Sequence, residues 1–84
     1  GYPELNLDWS YEKGKVIINV NQLQDHHVFE FPLEVGFLNQ GSQSIETINV
    51  TKASQTFKFK VKLEPEEVIL DPEQWLLFEE VSSY

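Results

Sequence analysis

An all-β fold, an antiparallel β-sandwich of about seven short strands, is what this sequence predicts, and three observations carry that prediction. Apolar and polar residues alternate with period two over most of the chain, as half-buried strands require. Turn residues interrupt the alternation at intervals of roughly 8 to 12 positions. Between the interruptions there is no amphipathic helical pattern of useful length.

Leu5, Leu7, Trp9 and Tyr11 alternate with Asn6, Asp8 and Ser10, which places four apolar side chains on one face of a first strand. Glu12-Lys13-Gly14 is a turn. Val16, Ile18 and Val20 repeat the pattern in a second strand, and Gln24-Asp25-His26-His27 interrupts it with residues that favour turns. The third strand is the clearest, with Phe29, Phe31, Leu33, Val35 and Phe37 alternating against Glu30, Pro32, Glu34 and Gly36. Pro32 has no N–H for a ladder, so its position belongs at an edge or a bulge. Residues 39–44, NQGSQS, read as a loop, after which Ile48 and Val50 mark a fourth strand and Lys52 to Gln55 another turn. Phe57, Phe59, Val61 and Leu63 form a fifth strand that alternates with Lys58, Lys60 and Lys62 and closes at Pro65. Val68 and Leu70 give a sixth, and Leu77 to Val81 supply a candidate seventh. This spacing is that of an immunoglobulin-like or fibronectin-like sandwich, with Trp9, Phe29, Phe31, Phe57 and Phe59 expected in the core.

One segment departs from the strand grammar. Asp71-Pro72-Glu73-Gln74 begins like a helix, with Asp as N-cap, Pro in the first helical position and Gln three residues after the cap. Too little chain follows for a full helix. The expectation is a single helical turn that redirects the backbone and aims Trp75 at the sheet.

The 84 residues form one domain spanning 1–84, with ordinary globular content at 40% hydrophobic and 13% aromatic. There is no cysteine, which excludes a disulfide framework and any thiolate metal site. Fourteen acidic residues against six lysines and no arginine give a net charge of −8, so phosphate backbones are repelled and no nucleic-acid partner is expected. No apolar run approaches the roughly 18 residues of a membrane span, and GYPELNLDW has neither the basic nor the apolar region of a signal peptide. Membrane insertion is not expected. An export signal of a parent chain would lie outside these residues.

Local chemistry is sparse. His26 and His27 are adjacent, so on extended backbone their imidazoles point to opposite sides and share no metal easily. Neither an HExxH helix nor a zinc pattern built on cysteine occurs. The acidic stretch with Glu64, Glu66, Glu67, Asp71 and Glu73 lacks the glycine-bearing spacing of a calcium loop, and no serine sits in a G-x-S-x-G elbow. Asn49-Val50-Thr51 matches a glycosylation acceptor by composition alone. Lys58, Lys60 and Lys62 hold half of the positive charge on one strand face, solvated, set against Glu30 and Glu34 across a strand pair at about 0.2 to 1 kcal/mol per contact, or offered to an acidic partner. No catalytic residue, metal ligand or cofactor site is expected, and the 84 residues are not read as an enzyme.

More informative are apolar residues on the wrong parity. Ile17 opposes the Val16/Ile18 face, Ile45 opposes Ile48 and Val50, and Ile69 opposes Val68 and Leu70. Gathered with Leu38 and Trp75, they would make a docking patch. The five residues Ile17, Leu38, Ile45, Ile69 and Trp75 are the candidate interdomain surface, facing a neighbouring domain of the same parent chain.

Gly1-Tyr2-Pro3 leading into an alternating strand, the paired Gln22 and Gln24, Phe31-Pro32-Leu33, and later Leu70-Asp71-Pro72 with Leu76-Leu77 follow one another over nearly the whole chain. In that order and spacing the sequence resembles the β-sandwich domain that follows the catalytic domain in zinc aminopeptidases of the aminopeptidase N family, in particular bacterial members with a short C-terminal region. The resemblance implies a parent metallopeptidase that removes N-terminal amino acids from peptides, with zinc held by two histidines and a glutamate in its catalytic domain. None of those positions lies within residues 1–84. What it implies for this chain is a structural role, buttressing the catalytic domain as its partner, with the start at Gly1 falling at a domain edge. Two alternatives stand beside it. One is a fibronectin-like extracellular binding or adhesion module recognising its target through loops 24–27 and 39–44; the other is the equivalent domain of a noncatalytic scaffold relative.

Overall fold

The computed structural model describes residues 3–25, 27–76 and 78–81. Six strands make two antiparallel three-stranded sheets: β1 (Glu4–Glu12), β2 (Lys15–Gln22), β3 (Phe31–Asn39), β4 (Ser42–Val50), β5 (Ser54–Lys60) and β6 (Glu67–Leu70). One sheet runs β5-β2-β1 and the other β4-β3-β6. The strand expected near the C-terminus is reduced to a two-residue segment, β7 (Glu79–Glu80), which pairs parallel with Glu4 and Leu5 at the free edge of β1. The antiparallel body therefore has six strands rather than about seven.

Local chemistry fixes the two tightest connections. Lys13 and Gly14 take φ of 50° and 79°, and Gln40 and Gly41 take 52° and 79°. Two central residues with positive φ make a type I′ turn, whose twist matches that of the flanking strands. Register follows at once, with Glu12 opposite Lys15 and Asn39 opposite Ser42. The second of these turns corrects the expectation of a loop over 39–44, since only Gln40 and Gly41 lie outside the strands.

The alternation seen in the sequence becomes the core. Leu5, Val16, Ile18, Val20, Leu33, Val35, Phe37, Ile48, Val50, Val68 and Leu70 are buried between the sheets. Apart from Phe37 this filling is aliphatic, so the aromatics expected in the core lie at its border instead. Trp9, Phe31, Phe57 and Phe59 pack against the cluster only partly buried, and Phe29 lies outside β3, edge-on to His27 with ring centroids 4.5 Å apart. The physical reason is position: β5 is an edge strand, so its inner residues are covered on one side only. Among the described aromatics only Phe37 is buried, and it meets Phe59 of the opposite sheet edge-to-face at 5.7 Å. Pro32 sits in β3 where β6, paired only with Val35 to Leu38, has already ended, so one side of the strand needs no donor there.

Candidate functional site

The outward faces of the two sheets differ in chemistry. On the β5-β2-β1 sheet, side chains opposite one another in the ladder hydrogen-bond across it. Asn19 donates from Nδ2 to Asp8 Oδ1 at 2.8 Å and accepts from Thr56 Oγ1 at 2.7 Å. Asn21 donates from Nδ2 to Asn6 Oδ1 at 3.4 Å and accepts from Ser54 Oγ at 2.8 Å, while Asn6 donates to the Val81 carbonyl at 3.1 Å. Cross-strand polar rows of this kind suit a face that meets water. Ile17 lies on this face, between Ser10 and Lys58 in the ladder and beside Lys13 and Lys15. It is therefore on the opposite side of the sandwich from the other four patch residues.

The outward face of the β4-β3-β6 sheet is apolar at its centre. Ile45 and Ile69 are the two ladder partners of Gly36, one from each side, and Leu38 is the next outward residue of β3. A β-carbon on Gly36 would lie 2.9 Å from Gln43 Oε1 and 3.2 Å from Pro72 Cγ, so the glycine is what lets Gln43 and the proline ring close over the sheet. Ile45 is exposed, and Trp75 remains 72% exposed. Leu38, Ile45, Ile69 and Trp75 thus belong to one side of the molecule.

The segment 71–76 forms the rim of that face, and its geometry corrects the expected helical turn. Asp71 has φ of 47°, outside the helical region, and its carbonyl accepts from Gln74 N at 2.9 Å to close a single turn. The buried Asp71 carboxylate does not cap a helix; Oδ1 accepts from Trp75 N at 3.0 Å and Oδ2 from Leu76 N at 2.8 Å. The chain is pulled round in an arc that leaves the indole largely in solvent, with Trp75 Nε1 donating to Glu73 Oε1 at 3.1 Å. Between this arc and the sheet runs a groove of about 230 Å³ lined by Pro32, Glu34, Thr47, Asp71, Trp75 and Leu76. Partial burial, then the negative charge and hydrogen bond of Glu73 and the charge of Asp71, push the Glu34 carboxyl above its ordinary value. Glu34 Oε1 is shielded from solvent with no hydrogen-bond donor facing it. A second apolar groove, lined by Pro3, Phe29, Glu30, Phe31, Leu76 and Phe78, shares Leu76 with the first. The parity rule did not point to this extension, because Leu76 and Phe78 lie beyond the regular strands.

The paired glutamines prove to be a structural clasp. Gln22 is buried at the end of β2 and uses its whole amide: Nε2 donates to Phe29 O at 2.8 Å and Lys52 O at 3.2 Å, while Oε1 accepts from Phe29 N at 2.9 Å and Gln24 Nε2 at 2.6 Å. Gln24 in turn accepts from Glu4 N at 3.0 Å and donates to His27 O at 2.9 Å. Four chain segments are tied together at one end of the sandwich without any group left over for chemistry.

The remaining candidates stay apart. His26 lies outside the described residues, and His27 is exposed. Lys58 and Lys60 face Ile17 and Lys15 of β2, so the lysine stripe does not oppose Glu30 and Glu34, which belong to the other half of the sandwich. Asn49 is exposed on β4. Among the described residues, no three His, Cys, Asp or Glu side chains are grouped to hold a metal ion, and no helix is long and apolar enough to cross a membrane. No protein-family model matches the chain, and no curated protein matches it significantly.

Proposed function

We propose that residues 1–84 are a noncatalytic β-sandwich domain of an aminopeptidase N-like zinc metallopeptidase, held against the catalytic domain of the same chain and supporting it. The observation that carries the structural role is the contrast between the two outward faces, one covered by a hydrogen-bonded polar ladder and the other presenting Ile45, Ile69, Leu38 and Trp75. A sandwich with water on both sides has no use for that asymmetry. Pro3 adds to it by lining the second apolar groove, which shares Leu76 with the first. The family assignment rests on the resemblance of Gly1-Tyr2-Pro3, Gln22 with Gln24, Phe31-Pro32-Leu33 and Leu70-Asp71-Pro72. The order β5-β2-β1 against β4-β3-β6 supports the finer reading of an immunoglobulin or fibronectin-like sandwich.

The alternative of a loop-based binding module loses one of its two recognition loops to the Gln40-Gly41 turn. The deciding experiment is on the parent chain. Its region ahead of Gly1 is expected to carry an HExxH motif with a downstream glutamate, and the purified protein to release N-terminal amino acids in a zinc-dependent manner. Tandem sandwich domains in that place, with no such motif, would replace this reading by the adhesion module. A degenerate motif without turnover would leave the scaffold relative.

A further inference from the structure

We infer that the β4-β3-β6 face closes on a protein surface that is basic at the point of contact, placing a lysine or arginine side chain in the groove beside Trp75 while apolar side chains meet Ile45 and Ile69. The groove suits that side chain in each of its parts. Pro32, Trp75 and Leu76 offer apolar walls to an aliphatic stem, and Trp75 offers an indole to a cation. Glu34 and Asp71 line the same space and Glu73 hydrogen-bonds the indole, so three carboxyls gather there with no lysine among the lining residues. Glu34 Oε1, shielded from solvent and without a donor, is left free to accept from such a cation.

A second copy of this chain fits the groove poorly. The basic apolar spots it could offer are Ile17 with Lys13, Lys15 and Lys58, on the opposite outward face beside Glu12, and Val61 and Leu63 with Lys60 and Lys62, past the end of β5 beside Glu46; either contact joins unlike surfaces and does not close into a dimer. Two copies each carrying −8 also repel. The inference rests on the accessory-domain reading for the identity of the partner, the region that precedes Gly1 in the parent chain.

The test is photo-cross-linking in the full natural protein, with benzoylphenylalanine placed at position 45 and, as the control on the polar face, at position 56. Position 45 is expected to cross-link to a peptide outside residues 1–84 that carries a lysine or arginine beside apolar residues, and position 56 is not. Glu73→Lys should abolish the cross-link, whereas Glu73→Gln weakens it. Glu73 is exposed on a turn, and an unchanged circular-dichroism spectrum separates lost docking from lost folding. The inference is overturned by a cross-link indifferent to Glu73→Lys, by a yield at position 45 no higher than at 56, or by a cross-link to Lys13, Lys15 or Lys58 of a second copy. A basic peptide from a separate protein would support the cationic contact and overturn the same-chain partner. Failure of the accessory-domain reading shows independently, in the absence of the zinc-binding motif.

Discussion

Gln22 and Phe29 exchange two hydrogen bonds, with Oε1 accepting from Phe29 N at 2.9 Å and Nε2 donating to Phe29 O at 2.8 Å, so a side-chain amide stands in for a strand partner where the backbone ladder has ended. Replacing Gln22 by leucine strands both groups of Phe29 and the Lys52 carbonyl. The expected loss is about 1 to 3 kcal/mol, read as a lower urea midpoint at unchanged slope. Gln22→Glu should be at least as damaging, because a carboxylate cannot donate to either carbonyl. A midpoint equal to the parent for both variants would show that the clasp contributes nothing.

Asp71 holds the Trp75 arc through two backbone N–H groups. Asp71→Ala removes both acceptors and is expected to destabilise by about 1.5 to 3 kcal/mol, as for hydrogen bonds to a charged group. Backbone amide exchange at Trp75 and Leu76 should accelerate in this variant while that of Val35 stays slow.

At Gly36 the close approach of Gln43 and Pro72 decides the outcome of adding a methyl group. The Gln43 amide end can swing away, whereas the proline ring is tied to the Asp71 turn. Gly36→Ala is expected to cost about 1 kcal/mol and to displace residues 71–76, since overpacking against a fixed neighbour forces backbone shifts. Combining it with Gln43→Ala should recover only part of the loss. Full recovery in the thermal midpoint would mean that Pro72 yields freely.

The type I′ turns allow stabilisation. Lys13 and Gln40 hold positive φ without the residue type that favours it, so Lys13→Asn and Gln40→Asn are each expected to gain about 0.5 to 1 kcal/mol. Gly41→Ala should lose about 1 to 2 kcal/mol from backbone conformation alone, because open space surrounds the position.

Glu34 gives a pH dependence with a definite sign. Its carboxyl is raised in the folded protein, so over the interval above its ordinary value of 4.5 the native state holds a proton that the unfolded chain has released. Stability contributed by the protonated form is present below that ordinary value and is lost as the pH climbs through the raised one. Glu34→Gln keeps a neutral donor in place at every pH. Denaturation midpoints of the two proteins should agree in acid and separate as the pH rises, with the variant the more stable at neutrality; parallel curves would remove the Glu34–Glu73 interaction.

Much of the architecture was legible along the chain because strand chemistry is local. The alternation of Val16, Ile18 and Val20, or of Leu33, Val35 and Phe37, states which side chains turn inward, and Lys13-Gly14 marks its own turn. The patch was only partly legible for the same reason. Parity shows that Ile17 and Ile45 both turn outward, but two sheets have two outward faces, and nothing in the spacing says which residue goes to which.

Side-chain alternation by itself determined the all-β class, the outline of six strands and most of their inward residues. Tertiary structure alone decided that the core is aliphatic but for Phe37, with the other packed aromatics at its border, and that Asp71 bends the chain outward rather than starting a helix. It also gathered Ile45, Ile69 and the three carboxyls near Trp75 on one side. The division follows from range: a residue's facing is set by its immediate neighbours, while its cover and company are set by segments distant in sequence that meet only when the sheets pack.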